Sequence, residues 1–171
     1  VAEGNAYMPD QFTNPSNPKA HYETTGPEIY EALPDAVAFV SGFGTGGTIS
    51  GVGRFLKEHI QGFRVFGLEP KESPLVSEGH AGSHKIQGIS GNFIPKNLDK
   101  SILDGIYSVA SDDAIAMSRR LAAEEGLSVG ISSGANVVAA LQALNDVEGK
   151  VVTVLPDLGE RYMSTALFQE D

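Results

Sequence analysis

The chain has 171 residues, 41% hydrophobic and 20% charged, with a formal net charge of −10 and no cysteine. That length sustains one domain with a substantial core, the acidity leaves no basic stripe to meet a nucleic-acid backbone, and the lack of thiols excludes disulfides, thiolate metal ligands and a cysteine nucleophile. No apolar run reaches the roughly 18 residues of a membrane span and no signal-peptide pattern opens the chain, so a cytoplasmic protein is expected.

Val1 opens the chain without an initiator Met and runs straight into Gly4-Asn5-Ala6-Tyr7-Met8-Pro9-Asp10-Gln11-Phe12. This reads as the exit from a preceding element, and a fragment or a processed chain is expected. A loop rich in Pro, Asn and Ser (Thr13 to Pro18) leads to a helical stretch from Lys19 to Leu33, in which Thr25-Gly26-Pro27 is a break or a new start. Pro34-Asp35 then separates it from a β-like run, Ala36-Val37-Ala38-Phe39-Val40.

That strand ends in Ser41-Gly42-Phe43-Gly44-Thr45-Gly46-Gly47-Thr48 and opens a helix, Ile49 to His59. Backbone N–H groups converge at such a junction with the positive end of the helix dipole behind them, which makes it a phosphate site. Gly42, Gly44 and Gly47 also satisfy G-x-G-x-x-G, with Glu69 at the end of the next strand, as a dinucleotide fingerprint requires. Thr45 and Thr48 suit a phosphate monoester equally well, and a purely structural glycine turn is a third reading. Local pattern leaves these open.

The second strand, Arg64 to Glu69, ends at Pro70 and completes a βαβ unit with parallel strands. The segment from Lys71 to Lys100 shows no regular period, which in a compact domain marks a functional or mobile loop. Gly105 to Val109 reads as a short strand, and Ser111-Asp112-Asp113 as a helix start with a cap and acids in the first turn. The helix Ala114 to Glu125 sets Ile115, Ser118, Leu121 and Ala122 along one side and stops at Gly126. A second glycine loop, Gly130-Ile131-Ser132-Ser133-Gly134, opens a helix through Leu144, and Lys150 to Leu155 is a last strand closed by Pro156-Asp157.

Gly130 to Gly134 matches the G-x-S-x-G elbow of hydrolases, yet His21, His59, His80 and His84 all precede Ser132, so the acid-then-histidine order fails. A serine N-cap is the plainer reading. His80 and His84 have the spacing of helical zinc ligands but fall among Gly79, Gly82 and Ser83, which read as a loop, so no metal site is expected. Arg119-Arg120 and Glu124-Glu125 read as a solvated helix face. Glu160-Arg161-Tyr162, after the last strand, faces the side of the sheet where ligands bind, or anchors a loop.

Taken in order, Gly42 to Thr48, Lys85-Ile86-Gln87-Gly88-Ile89, Phe93-Ile94-Pro95, Gly130 to Ala135 and Gly159-Glu160-Arg161-Tyr162 resemble the cysteine synthase (O-acetylserine sulfhydrylase) family over nearly the whole chain. These are fold-type II pyridoxal-phosphate enzymes, like the tryptophan synthase β chain and cystathionine β-synthase. The resemblance implies an α/β fold: an open, mostly parallel twisted sheet with helices on both faces in three layers, the C-terminal domain of that fold. Residues 1–171 would form a single cofactor-cradling domain. It further implies a pyridoxal 5'-phosphate cradle at Gly44, Thr45, Gly46, Gly47 and Thr48, with Ser132 at the pyridine nitrogen and substrate contacts at Gln11 and Gly88. The implied reaction replaces the acetate of O-acetyl-L-serine by sulfide to give L-cysteine, in a homodimer open to the C-terminus of serine acetyltransferase.

Two departures accompany the resemblance. The family's Schiff-base lysine and its carboxylate-gripping segment belong upstream, and none of Lys19, Lys57, Lys71, Lys85, Lys96, Lys100 or Lys150 has the lysine's context, so no catalytic residue is expected in this chain and it should be inactive alone. Ser90-Gly91-Asn92 stands where the commonest family version has Gly, Ala and Gly, which bears on the choice of acyl-serine or nucleophile. The alternatives are a related β-replacement enzyme such as cystathionine β-synthase, an NAD(P)-binding Rossmann domain, and a non-catalytic module that binds the serine acetyltransferase C-terminus.

Overall fold

The structure is a computed structural model and describes Gly4 and residues 6–169. Val1 and Asn5, in the opening stretch from which a fragment or a processed chain is expected, lie outside the described residues.

The chain enters through two short helices, α1 (Ser16–Glu23) and α2 (Thr25–Ala32). Thr25-Gly26-Pro27 is the new start: it forms the first turn of α2, where a proline's missing N–H has no helical partner to lose. α1 begins three residues before Lys19, inside the expected loop. There Asn14 accepts the Ser16 N–H at 2.9 Å and nucleates the first turn.

Among the described residues four strands follow: β1 (Ala36–Gly42), β2 (Arg64–Pro70), β3 (Gly105–Val109) and β4 (Lys150–Thr153). The helices between them are α3 (Gly47–His59), α4 (Ser111–Glu125) and α5 (Ile131–Ala143). All strand pairs are parallel and the order is β3-β2-β1-β4. The chain steps outward from β1 to β3 and then returns to lay β4 on the other side of β1. The topological switch point, where open α/β sheets bind ligands, is therefore at the carboxyl ends of β1 and β4.

Two apolar clusters sandwich the sheet. On one face Phe39 and Val65 pack against Ile49, Val52 and Leu56 of α3. On the other, Val40, Phe66 and Leu68 meet Ile115 of α4 and Ala135, Ala139 and Ala143 of α5. The small alanines let α5 lie close to the sheet, and the result is the three-layer parallel α/β architecture that the family resemblance implies.

Two local expectations change. Ser111 does not cap α4 with its side chain. Its hydroxyl instead accepts the Lys85 N–H at 2.9 Å, while the Ser111 N–H donates to Glu72 at 2.8 Å, so a carboxylate 39 residues away caps the helix. The buried stripe of α4 also ends early, because Ala122 is exposed. Residues 71–99 contain no helix or strand, as expected, and this loop is tied to the sheet through Glu69. That carboxylate is 1% exposed and accepts the N–H groups of Val76 (2.9 Å) and Ser77 (3.1 Å) together with the Ser77 hydroxyl. The acid that a dinucleotide fingerprint would aim at a ribose is committed to its own chain.

Candidate active site

β1 delivers the glycine loop to the switch point, and packing dictates its composition. Gly46 has φ +81 and precedes α3 as its N-cap, a left-handed conformation that glycine adopts without steric penalty. A side chain there would also strike Leu98, 2.7 Å from the ideal Cβ position. At Gly44 a side chain would run into the carbonyl oxygen of Gly88, and at Gly47 into the side chain of Asn17. The loop is thus a tight seam between β1, α1 and the 88–98 segment.

The seam presents donors. The first helical bond of α3 runs from Ser50 N–H to Gly46 O, and Gly47 N–H donates to Thr45 Oγ1 at 3.2 Å. The N–H groups of Gly44, Thr45, Gly46, Thr48 and Ile49 have no acceptor among the described residues. Asn17 Nδ2 donates to Thr45 Oγ1 at 3.0 Å. Since that oxygen accepts twice, its own proton is free to donate outward. Thr48 Oγ1 lies 3.1 Å from His21 Nε2, and His21 Nδ1 lies 3.0 Å from Thr25 Oγ1. Burial holds the His21 imidazole below its ordinary value, which favours the neutral ring.

The other residues singled out in the sequence gather at the same end. Asn17 Nδ2 also donates to Gln11 O (2.8 Å), and Asn97 bridges Gln11 O (2.8 Å) and Asn14 O (3.1 Å), which fixes the segment carrying Gln11 beside Thr45. Gly88 has φ +92 and abuts Gly44. Ser90 N–H donates to Phe43 O at 3.2 Å and pins the 84–90 loop to the glycine loop, while Ser90 O, 3.1 Å from His84 Nε2, closes the 84–90 loop on itself. Ser90 and Asn92 have φ values of +51 and +60. Those are the two positions where the commonest family version carries glycine, and the left-handed backbone supplies the reason.

Ser132 is in the first turn of α5, 5% exposed, and its hydroxyl has no hydrogen-bond partner among the described residues. One turn on, Asn136 accepts the Gly42 N–H (2.8 Å) and donates to Val154 O (2.7 Å). Asn136 therefore ties α5 to the ends of β1 and β4 and fixes Ser132 relative to the glycine loop. Asn17, His21, Asn97 and Asn136 escaped the sequence reading. Asparagine carries no signature of long-range bridging, although His21 and Asn136 each fall four residues from a residue they serve or accompany, Thr25 and Ser132. His80 and His84 have separate partners, Glu78 and Ser90.

The arrangement suits a small phosphate ester: several undirected N–H groups, a helix amino terminus, and threonine hydroxyls, with a neutral hydroxyl across the cleft. Comparison with known proteins agrees. The family described as "Pyridoxal-phosphate dependent enzyme" matches residues 1–157. A cysteine synthase of Staphylococcus aureus is 48% identical over 169 residues, covering 96% of this chain and 54% of its own length. Cysteine synthase B of Campylobacter jejuni is 51% identical over 166 residues, with 96% and 55% covered. The crystal structure of a cysteine synthase from Entamoeba histolytica superposes with a TM-score of 0.93 at 36% identity, over 99% of this chain and 52% of that one. The chain spans about half the length of the curated relatives it matches. It belongs to the family of pyridoxal-phosphate-dependent enzymes.

Proposed function

We propose that the chain is the cofactor-cradling part of a cysteine synthase, which exchanges the acetate of O-acetyl-L-serine for sulfide to give L-cysteine and acetate. The observation that carries this is the convergence of Gly44 to Thr48, Gly88, the Gln11 segment and Ser132 on one switch point. Pyridoxal 5'-phosphate, when bound, supplies an electron sink for chemistry at the α- and β-carbons of an amino acid.

The residues of this chain do the holding. The unpartnered N–H groups of Gly44, Thr45, Gly46 and Thr48, with the α3 dipole, would receive the phosphate. Thr45 donates its remaining proton to it, and Asn17 keeps that hydroxyl turned the right way. Ser132 meets the pyridine nitrogen with a neutral hydroxyl. Unlike a carboxylate, a hydroxyl there would not stabilise a protonated ring, so Ser132 would leave the electron sink weak. Gln11 and Gly88 border the substrate carboxylate, and the 88–92 loop closes the pocket beside the leaving group. Ser90 and Asn92 give that loop side chains on a left-handed backbone, which is the feature that favours a related β-replacement enzyme as a second reading.

The Schiff-base lysine and the rest of the substrate site lie, on this reading, in a preceding domain, and the chain by itself is inactive. The intact cytoplasmic enzyme is a homodimer whose cleft accepts the C-terminal peptide of serine acetyltransferase. Phosphorus NMR of the chain titrated with pyridoxal 5'-phosphate tests the assignment. Saturable binding with a shifted phosphate resonance is the expected result, and binding of NAD(H) in its place would overturn it.

A further inference from the structure

Glu160-Arg161-Tyr162 follows β4 at the ligand side of the sheet, and the chemistry above makes no use of it. Tyr162 is 6% exposed, and its hydroxyl donates to Asp157 Oδ2. Asp157 in turn grips the turn that leads into α5. Its carbonyl oxygen accepts the Gly130 N–H at 3.1 Å, and a side chain at Gly130 would collide with Asp157 Oδ1 and with the Tyr162 ring. From α4, Ser118 Oγ donates to Gly130 O at 2.9 Å. Gly130 is therefore held at its N–H, its C=O and its Cα, and Ser132 comes two residues later.

One atom in this assembly is poorly served. Asp157 Oδ1 is buried with no hydrogen-bond partner. A buried carboxylate oxygen without a donor is costly and calls for a reason. Its setting supplies one, because it lies against the residue that caps the amino terminus of α5, where the helix dipole favours negative charge.

We propose that Asp157 and Tyr162 are a positioning pair for Ser132: Tyr162 orients the carboxylate, and Asp157 holds the Gly130 turn and sets the potential at the end of the cleft that receives the pyridine nitrogen. This rests on the cofactor assignment above. It adds two residues, acting through the backbone of Gly130, to the support of one end of the cofactor. The phosphate end depends on a separate set, Asn17, His21 and Leu98.

That separation defines the test. The chain and its Tyr162→Phe and Asp157→Asn variants are titrated with pyridoxal 5'-phosphate. The absorption and emission of the bound ring report one end, and the phosphorus resonance reports the other. In both variants the ring spectrum should change and binding should weaken about tenfold, the scale of one lost hydrogen bond to a charged group, while the bound phosphorus shift stays in place. A ring spectrum unchanged in both variants would refute the pair, and so would equal movement of the phosphorus shift, which would mean general loosening. Failure of the unsubstituted chain to bind pyridoxal 5'-phosphate would instead remove the cofactor assignment, and the inference with it.

Discussion

Between Gly44 and Gly88 there is room for backbone and nothing else, and that contact joins the phosphate seam to the substrate loop. Gly44→Ala should push the 88–90 loop away and reduce pyridoxal 5'-phosphate affinity at least about tenfold, measured by fluorescence titration. Ser90 presents the opposite case, a non-glycine residue at φ +51. Ser90→Gly should raise stability by about 1 kcal/mol in urea unfolding, because the strain of the left-handed serine exceeds the entropy glycine adds to the unfolded chain. Asn136→Ala should lower it by about 3 kcal/mol, since Gly42 N–H and Val154 O both lose their partner. Glycines that forbid a side chain were legible in the sequence as a motif. Asn136 was not, because its two bonds span 94 and 18 residues and nothing local encodes them.

At the level of elements, the strands and helices announced themselves through apolar runs and glycine stops, and every expected strand is present. Their ends were less legible. β1 continues through Ser41 and Gly42 because β2 pairs with both, and α4 begins where it does because Glu72 reaches in from the irregular loop. A short helix, Lys100–Ile102, shows the same dependence on distant charge. Asp99 accepts from Ser101 N–H at 3.0 Å and from Arg54 of α3 at 2.9 Å, and its carboxyl is held below the ordinary 3.8, first by the Ser101 hydroxyl and then, against the opposing effect of burial, by Arg54. A lowered carboxylate contributes stability in full above its unfolded value and loses it as pH falls through the folded one. Asp99→Asn should therefore flatten the decline in stability below about pH 4, followed by urea unfolding at stepped pH.

For the molecule as a whole, folding withdraws the acid that a ribose site beside the glycine loop would need. The glycine pattern fitted both a phosphate monoester and a dinucleotide, Glu69 fitted the dinucleotide, and only the third dimension shows Glu69 turned inward to Val76 and Ser77. Borohydride reduction of the chain loaded with pyridoxal 5'-phosphate should leave no lysine of this chain covalently labelled, as mass spectrometry of its peptides would show. A labelled lysine would place the reactive amine here and overturn the division of the site between two domains.

The order β3-β2-β1-β4 also has a kinetic consequence. The neighbours β1, β2 and β3 are joined by consecutive chain, whereas β4 must close a loop of over 100 residues to reach β1, as in the pairing of Val40 with Thr153, and such closures are slow. The glycine loop and its Gly88 partner should therefore come together first. The α5 end, with Ser132, is added last. Pulsed hydrogen exchange during refolding should accordingly protect the amides of β1 and β2 before those of β4, so that a nascent chain holds half of a binding site before it holds the whole.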